Sequence, residues 1–183
     1  MALTVKKTHG ELSQHISLNS EKHGEEDAPC ADFTLSGILL DEDDIAEMYD
    51  DRYYYRTLFN EKGKLKEPLT RLNGPICYQP QFKKSLVTLW VGLKQEDMLK
   101  FSESRVKDIQ LEPQTGGSVA LSCKVRVFPT EEDMKFLYRH KGQDVMVSIR
   151  FGKEDKPAAK ASPELPLDHQ SQKKDGDSAE AVH

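Results

Sequence analysis

The run from Ser118 to Val127 constrains this chain most tightly. Val119, Leu121, Cys123, Val125 and Val127 fall on one side of an alternating pattern, and Ser118, Ala120, Ser122, Lys124 and Arg126 fall on the other. Successive side chains of an extended backbone point in opposite directions, so this pattern requires a β-strand with one face in a core. Just upstream, Glu112-Pro113-Gln114-Thr115-Gly116-Gly117 offers two glycines that reach positive φ at no steric cost. The strand is therefore the return arm of a hairpin whose first arm carries Ile109 and Leu111. Downstream, Thr130 caps a helix, Asp133 closes the capping box, and Met134, Leu137 and Tyr138 mark its core-facing side. His140 and Lys141 suit the helix C-terminus and Gly142 stops it, after which Val145, Val147, Ile149 and Phe151 form a returning strand.

Further elements follow from the same rules. Leu86, Thr88, Trp90 and Gly92 alternate with Val87, Leu89, Val91 and Leu93, so both faces of that strand are apolar and it belongs in the middle of a sheet. Phe33, Leu35 and Gly37 alternate with polar neighbours. Asp41 caps a short helix with Asp44 three residues on and Ile45, Met48 and Tyr49 on its apolar side. Arg52 to Phe59 fits helix or strand equally well.

The class expected is mainly β, with α+β as its neighbour. The architecture expected is an antiparallel β-sandwich or twisted sheet carrying two short packed helices. Residues 1–29 read as a flexible N-terminal arm, 30–152 as a single domain and 153–183 as a disordered tail. The last segment has too little apolar surface to offset its conformational entropy.

Apolar residues make up 37% of the chain, charged residues 31%, and the net charge is −5, which exerts no global pull on nucleic acid or membranes. The charge is divided along the sequence. From Lys22 to Asp51 it is almost wholly acidic, and from Arg52 to Lys107 basic residues prevail. Either the two pair within the fold, or the basic part meets a polyanion while the acidic part faces away. Cys30, Cys77 and Cys123 are too few and too scattered for a disulfide framework or a zinc site. Met1 to Lys7 has no apolar h-region, so a reducing cytoplasm is the expected setting.

No catalytic or cofactor motif stands out, so neither an enzyme nor a small-molecule cofactor is expected. In the acidic group Asp41, Asp43, Asp44 and Glu47, helix capping accounts for the first three and Glu47 shares an exposed helix face with Asp43, so no metal is expected. The candidate binding residues are Arg52, Tyr54, Tyr55, Arg56, Lys83 and Lys84, where aromatic and basic side chains interleave. Single-stranded nucleic acid needs stacking faces flanked by cations. A protein partner uses the same residue types, and one of the three adjacent tyrosines must serve packing, with its hydroxyl bonded at the rim.

The segments Asn19 to Asp27, Leu69-Thr70-Arg71-Leu72 with Gly74-Pro75-Ile76, and Leu111 to Val119 resemble a group of uncharacterised tailed-phage and prophage proteins. The resemblance spans about Asn19 to Phe151 and implies a phage origin and work in the host cytoplasm, with no activity attached. The function expected is a non-enzymatic accessory protein acting through a protein partner or self-association. Binding of single-stranded DNA in a phage replication or recombination module is the alternative.

Overall fold

The computed structural model describes residues 4–23, 26–49, 52–67, 74–78, 80–92 and 98–155. Among them are nine strands: β1 (Thr4–Leu12), β2 (Ser17–His23), β3 (Glu26–Leu40), β4 (Ile76–Tyr78), β5 (Gln81–Trp90), β6 (Met98–Pro113), β7 (Val119–Val127), β8 (Asp144–Arg150) and β9 (Lys153–Asp155). Helices α1 (Glu42–Tyr49) and α2 (Arg52–Leu58) follow β3, and α3 (Glu131–His140) joins β7 to β8.

Strands run in the order β6-β7-β3-β1-β8-β5, and β5 pairs again with β6. Every one of these pairings is antiparallel. The ring is a closed six-stranded barrel, which corrects the expected sandwich or open twisted sheet. Alternation reports that one face of a strand is buried and is silent on whether the opposite wall is a second sheet or the same one curled round. Closure leaves no bare edge in the ring. Strands β2, β4 and β9 flank it on β3, β6 and β5.

The strand that closes the barrel is β1, drawn from residues that composition assigns to the arm. It pairs with β3 on one side and β8 on the other. Its apolar content is thin: Val5 and Leu12 point inward, and Gly10 is buried between them. A β-carbon at Gly10 would lie 2.9 Å from Ile38 Cγ1, so the close approach of β1 to β3 needs a residue without a side chain. A register shift between Val5 and Thr8 breaks the alternation that would otherwise announce the strand.

The interior is filled from every ring strand, among them Phe33, Leu35 and Ile38 of β3, Val87 and Leu89 of β5, and Leu121, Cys123 and Val125 of β7, all essentially fully buried. The β6–β7 hairpin turns where expected, with Gly116 and Gly117 at φ 107° and 88°. Thr130 Oγ1 accepts from Asp133 N at 3.2 Å while Asp133 Oδ2 accepts from Thr130 N at 2.8 Å, which is the capping box foreseen for α3. Leu137 is its buried residue, but Tyr138 is 42% exposed rather than core-facing. Its ring lies under the Lys141 ammonium, and Phe136 is the aromatic packed against the core. The ambiguous Arg52–Phe59 stretch is helical, giving three helices among the described residues where two were expected. Of the disordered tail expected over 153–183, residues 153–155 instead form β9 against β5, and the rest lies outside the described residues.

Candidate functional site

Strands β3 and β7 run side by side in opposite directions, with the acidic helix α1 following β3 at one end and Lys124 and Arg126 of β7 beside Asp32 of β3 toward the other. Leu40 pairs with Val119 at one end, and Asp32 with Arg126 near the other. At roughly 3.3 Å per residue, Val119 and Arg126 are about 23 Å apart along the strand. The first end is acidic. The chain leaves Leu40 into Asp41, whose Oδ1 accepts from Asp44 N at 2.9 Å, and α1 begins with Glu42, Asp43 and Asp44. Carboxylates there are favoured by the positive helix end. Burial nonetheless pushes the Asp44 carboxyl above its ordinary value. Lys6 meets Glu47 at 3.8 Å in an exposed pair that contributes little. Among the described residues no cluster is arranged to hold a metal ion.

The second end is basic. Arg105 stands directly opposite Arg126 across the β6–β7 ladder, and Lys107 directly opposite Lys124. Like charges in that position repel. The arginines are reconciled by Glu21 of β2, which bridges Arg105 Nη1 at 2.9 Å and Arg126 Nη1 at 2.6 Å. Arg126 also donates Nε and Nη2 to the two oxygens of Asp32, at 2.8 and 2.7 Å, in a fork-to-fork pair. Asn19 Nδ2 donates to Asp32 at 3.2 Å. Hydrogen bonding to Arg126 holds both the Asp32 and Glu21 carboxyls below their ordinary values, and the same bonds raise Arg126 further. Lys107 and Lys124 act on Asp32 through space.

Lys83 and Lys84 join this end from β5. The β5–β6 register shifts on both sides of Ser85, and Lys84 takes a left-handed backbone at φ 55°, an uncommon conformation for a residue with a side chain. Both lysines are exposed. With Lys22, Glu103, Ser104, Arg105, Arg126 and Phe128 they line a cleft of about 160 Å³. Ser85 and Ser104 face each other there, fully buried, and each hydroxyl donates to the carbonyl three residues before it, at 3.4 and 3.3 Å. Their donors are thereby satisfied by the backbone.

The binding residues read from the sequence are therefore divided between two places. Tyr55 and Arg56 lie at the acidic end, where they line a cleft of about 670 Å³ with Glu42, Phe59, Asn60, Glu61, Gly63 and Lys66. The Tyr55 hydroxyl donates to the Gly117 carbonyl at 2.7 Å, and its ring packs on Phe59 with centroids 4.9 Å apart. Tyr55 is thus the tyrosine that serves packing, with its hydroxyl bonded at the rim. Arg52 and Tyr54 are on α2, and their side chains lie outside the described part of the structure. Lys83 and Lys84 sit instead with Lys22, Arg105, Arg126 and Phe128, none of which the sequence reading singled out. The available signal was the basic side chains on the outward face of both hairpin arms.

Comparison of the chain with protein-family models, with curated proteins and with solved structures finds no match. No helix among the described residues is long and apolar enough to cross a membrane.

Proposed function

We propose that this chain is a binding protein rather than a catalyst, and that it holds single-stranded DNA against the basic end of its barrel. The observation that carries the reading is the placing of Arg105 opposite Arg126 and Lys107 opposite Lys124 across β6 and β7, beside the cleft that Lys83 and Lys84 line. Glu21 and Asp32 pair with Arg105 and Arg126, and the acidic helix α1 begins at the opposite end, away from the lysines around that pair. Lys22, Lys84, Lys107 and Lys124 supply cations around that end, and Phe128 adds a half-buried aromatic ring in the same cleft. Cations tracking a backbone beside a stacking face are the ingredients of sequence-tolerant strand binding. Such binding would serve a replication or recombination module in the host cytoplasm, given the phage origin that the resemblance implies.

A second reading draws on the two ends together. An acidic end and a basic end on one molecule are complementary between copies, which favours head-to-tail self-association.

Fluorescence anisotropy of a labelled oligo(dT) titrated across a salt series tests the proposal. Four lysines neutralising four phosphates give a slope of log K on log salt of about −3, at roughly −0.7 per phosphate for a single strand. A flat titration at low salt removes the DNA reading. Sedimentation coefficients that rise with protein concentration and fall back in salt would then favour self-association.

A further inference from the structure

We infer that Arg105 and Arg126 form a phosphate site which the chain's own Glu21 carboxylate fills, and which a phosphodiester takes over by displacing that carboxylate. The inference rests on the nucleic-acid reading for the identity of its ligand.

Two arginines placed directly opposite each other on neighbouring strands need an anion between them, and Glu21 gives one oxygen to each. Guanidinium groups accept a carboxylate and a phosphate through the same planar array of donors. Replacing one singly charged anion by another leaves the arginine pair compensated, and the cost of the exchange is the Glu21 contact given up and the nearby carboxylate released.

The two carboxylates at this end are tethered differently. Asp32 belongs to β3 in the ring, its side chain is 5% exposed, and it grips Arg126 with both oxygens. Asp32 therefore keeps Arg126 aimed when Glu21 leaves. Glu21 belongs to β2, which lies outside the ring on β3, and its side chain is 26% exposed. The adjoining cleft carries Lys22, Lys84 and Phe128, so a strand entering there finds cations for neighbouring phosphates and a ring for a base. Glu21 is then a built-in competitor that sets a threshold for binding.

The test compares wild type with Glu21→Gln, using two probes: labelled oligo(dT) by anisotropy and inorganic pyrophosphate by calorimetry. The site predicts that Glu21→Gln binds both more tightly, by about three- to tenfold at low salt. The DNA salt slope should also steepen by about 0.7, for the one positive charge that Glu21 no longer compensates. If both proteins bind DNA with the same affinity and slope, or the variant binds more weakly, the site is overturned and DNA binding stands. If neither binds DNA but the variant takes pyrophosphate more tightly, the site stands and the DNA reading falls. If neither probe binds either protein, both fall. Should Glu21→Gln not fold, Glu21→Asp withdraws the carboxylate by one methylene. Its affinity must then also exceed that of wild type.

Discussion

The Tyr55 hydroxyl donates to the Gly117 carbonyl oxygen at 2.7 Å, fastening α2 to a hairpin turn 62 residues further along the chain. A β-carbon at Gly117 would lie 2.7 Å from that hydroxyl, so the glycine is required both by its positive φ and by its neighbour. Tyr55→Phe should cost about 1 kcal/mol, the usual net worth of one hydrogen bond, read as a lower urea midpoint at unchanged slope. Oligo(dT) affinity should stay within twofold of wild type, because Tyr55 sits at the acidic end. A variant with normal stability and lost DNA binding would return Tyr55 to the role of a stacking platform.

The three thiols should differ in reactivity. Cys77 is exposed on β4, whereas Cys30 and Cys123 are buried, and burial pushes the Cys123 thiol up to about 12. The thiolate is the reactive form, so an aromatic disulfide reagent should titrate Cys77 in the native protein and the other two after unfolding in guanidinium. Rapid native labelling of Cys123 would mean that the barrel wall opens at β7.

Acid should weaken the basic end in a defined direction. Asp32 and Glu21 have folded values held below their ordinary 3.8 and 4.5, so their contribution is complete above pH 4.5 and is lost as pH falls through the lower folded values. Arg126→Leu removes the partner that depresses Asp32 and leaves a buried carboxylate, at a cost of about 3 kcal/mol near neutral pH. Burial then dominates at Asp32 and raises its value. The variant should regain part of its deficit as pH falls from 7 toward 4, a range over most of which these two carboxylates leave wild type unchanged. Urea midpoints across that range check this, and parallel pH profiles would contradict it.

How much of this was legible depends on which interactions each residue answers to. The β6–β7 hairpin, α3 with its box and β8 are specified by neighbours a few residues away, so period, turn and cap were sufficient to find them. β1 was not legible. Its two inward apolar residues are separated by a register shift, and its place depends on Gly10 meeting Ile38 across the barrel. Lys84 and Gly152 are a similar case. Backbone carbonyls of Lys83 and Lys84 crowd the space where a Gly152 side chain would stand, a contact between β5 and the segment before β9 that no local pattern encodes. At the candidate site, the sequence grouped Tyr55 and Arg56 with Lys83 and Lys84 by composition. The fold separates them because β6 runs from the basic end to the acidic one between their neighbours. Lys124 and Arg126 were already recognisable as outward-facing, but their pairing with Lys107 and Arg105 required the register.

Charge reversal at the two ends tests the central claim most directly. Lys107→Glu with Lys124→Glu alters the basic end, and Asp43→Lys with Glu47→Lys alters the acidic end, each in an otherwise intact chain. Oligo(dT) anisotropy at low salt should show affinity falling at least about thirtyfold for the first pair, since two phosphate contacts become two repulsions. The second pair should bind as well as wild type or better. Equal losses at both ends, or none at the basic end, would contradict the assignment of DNA binding to the Arg105–Arg126 end of the barrel.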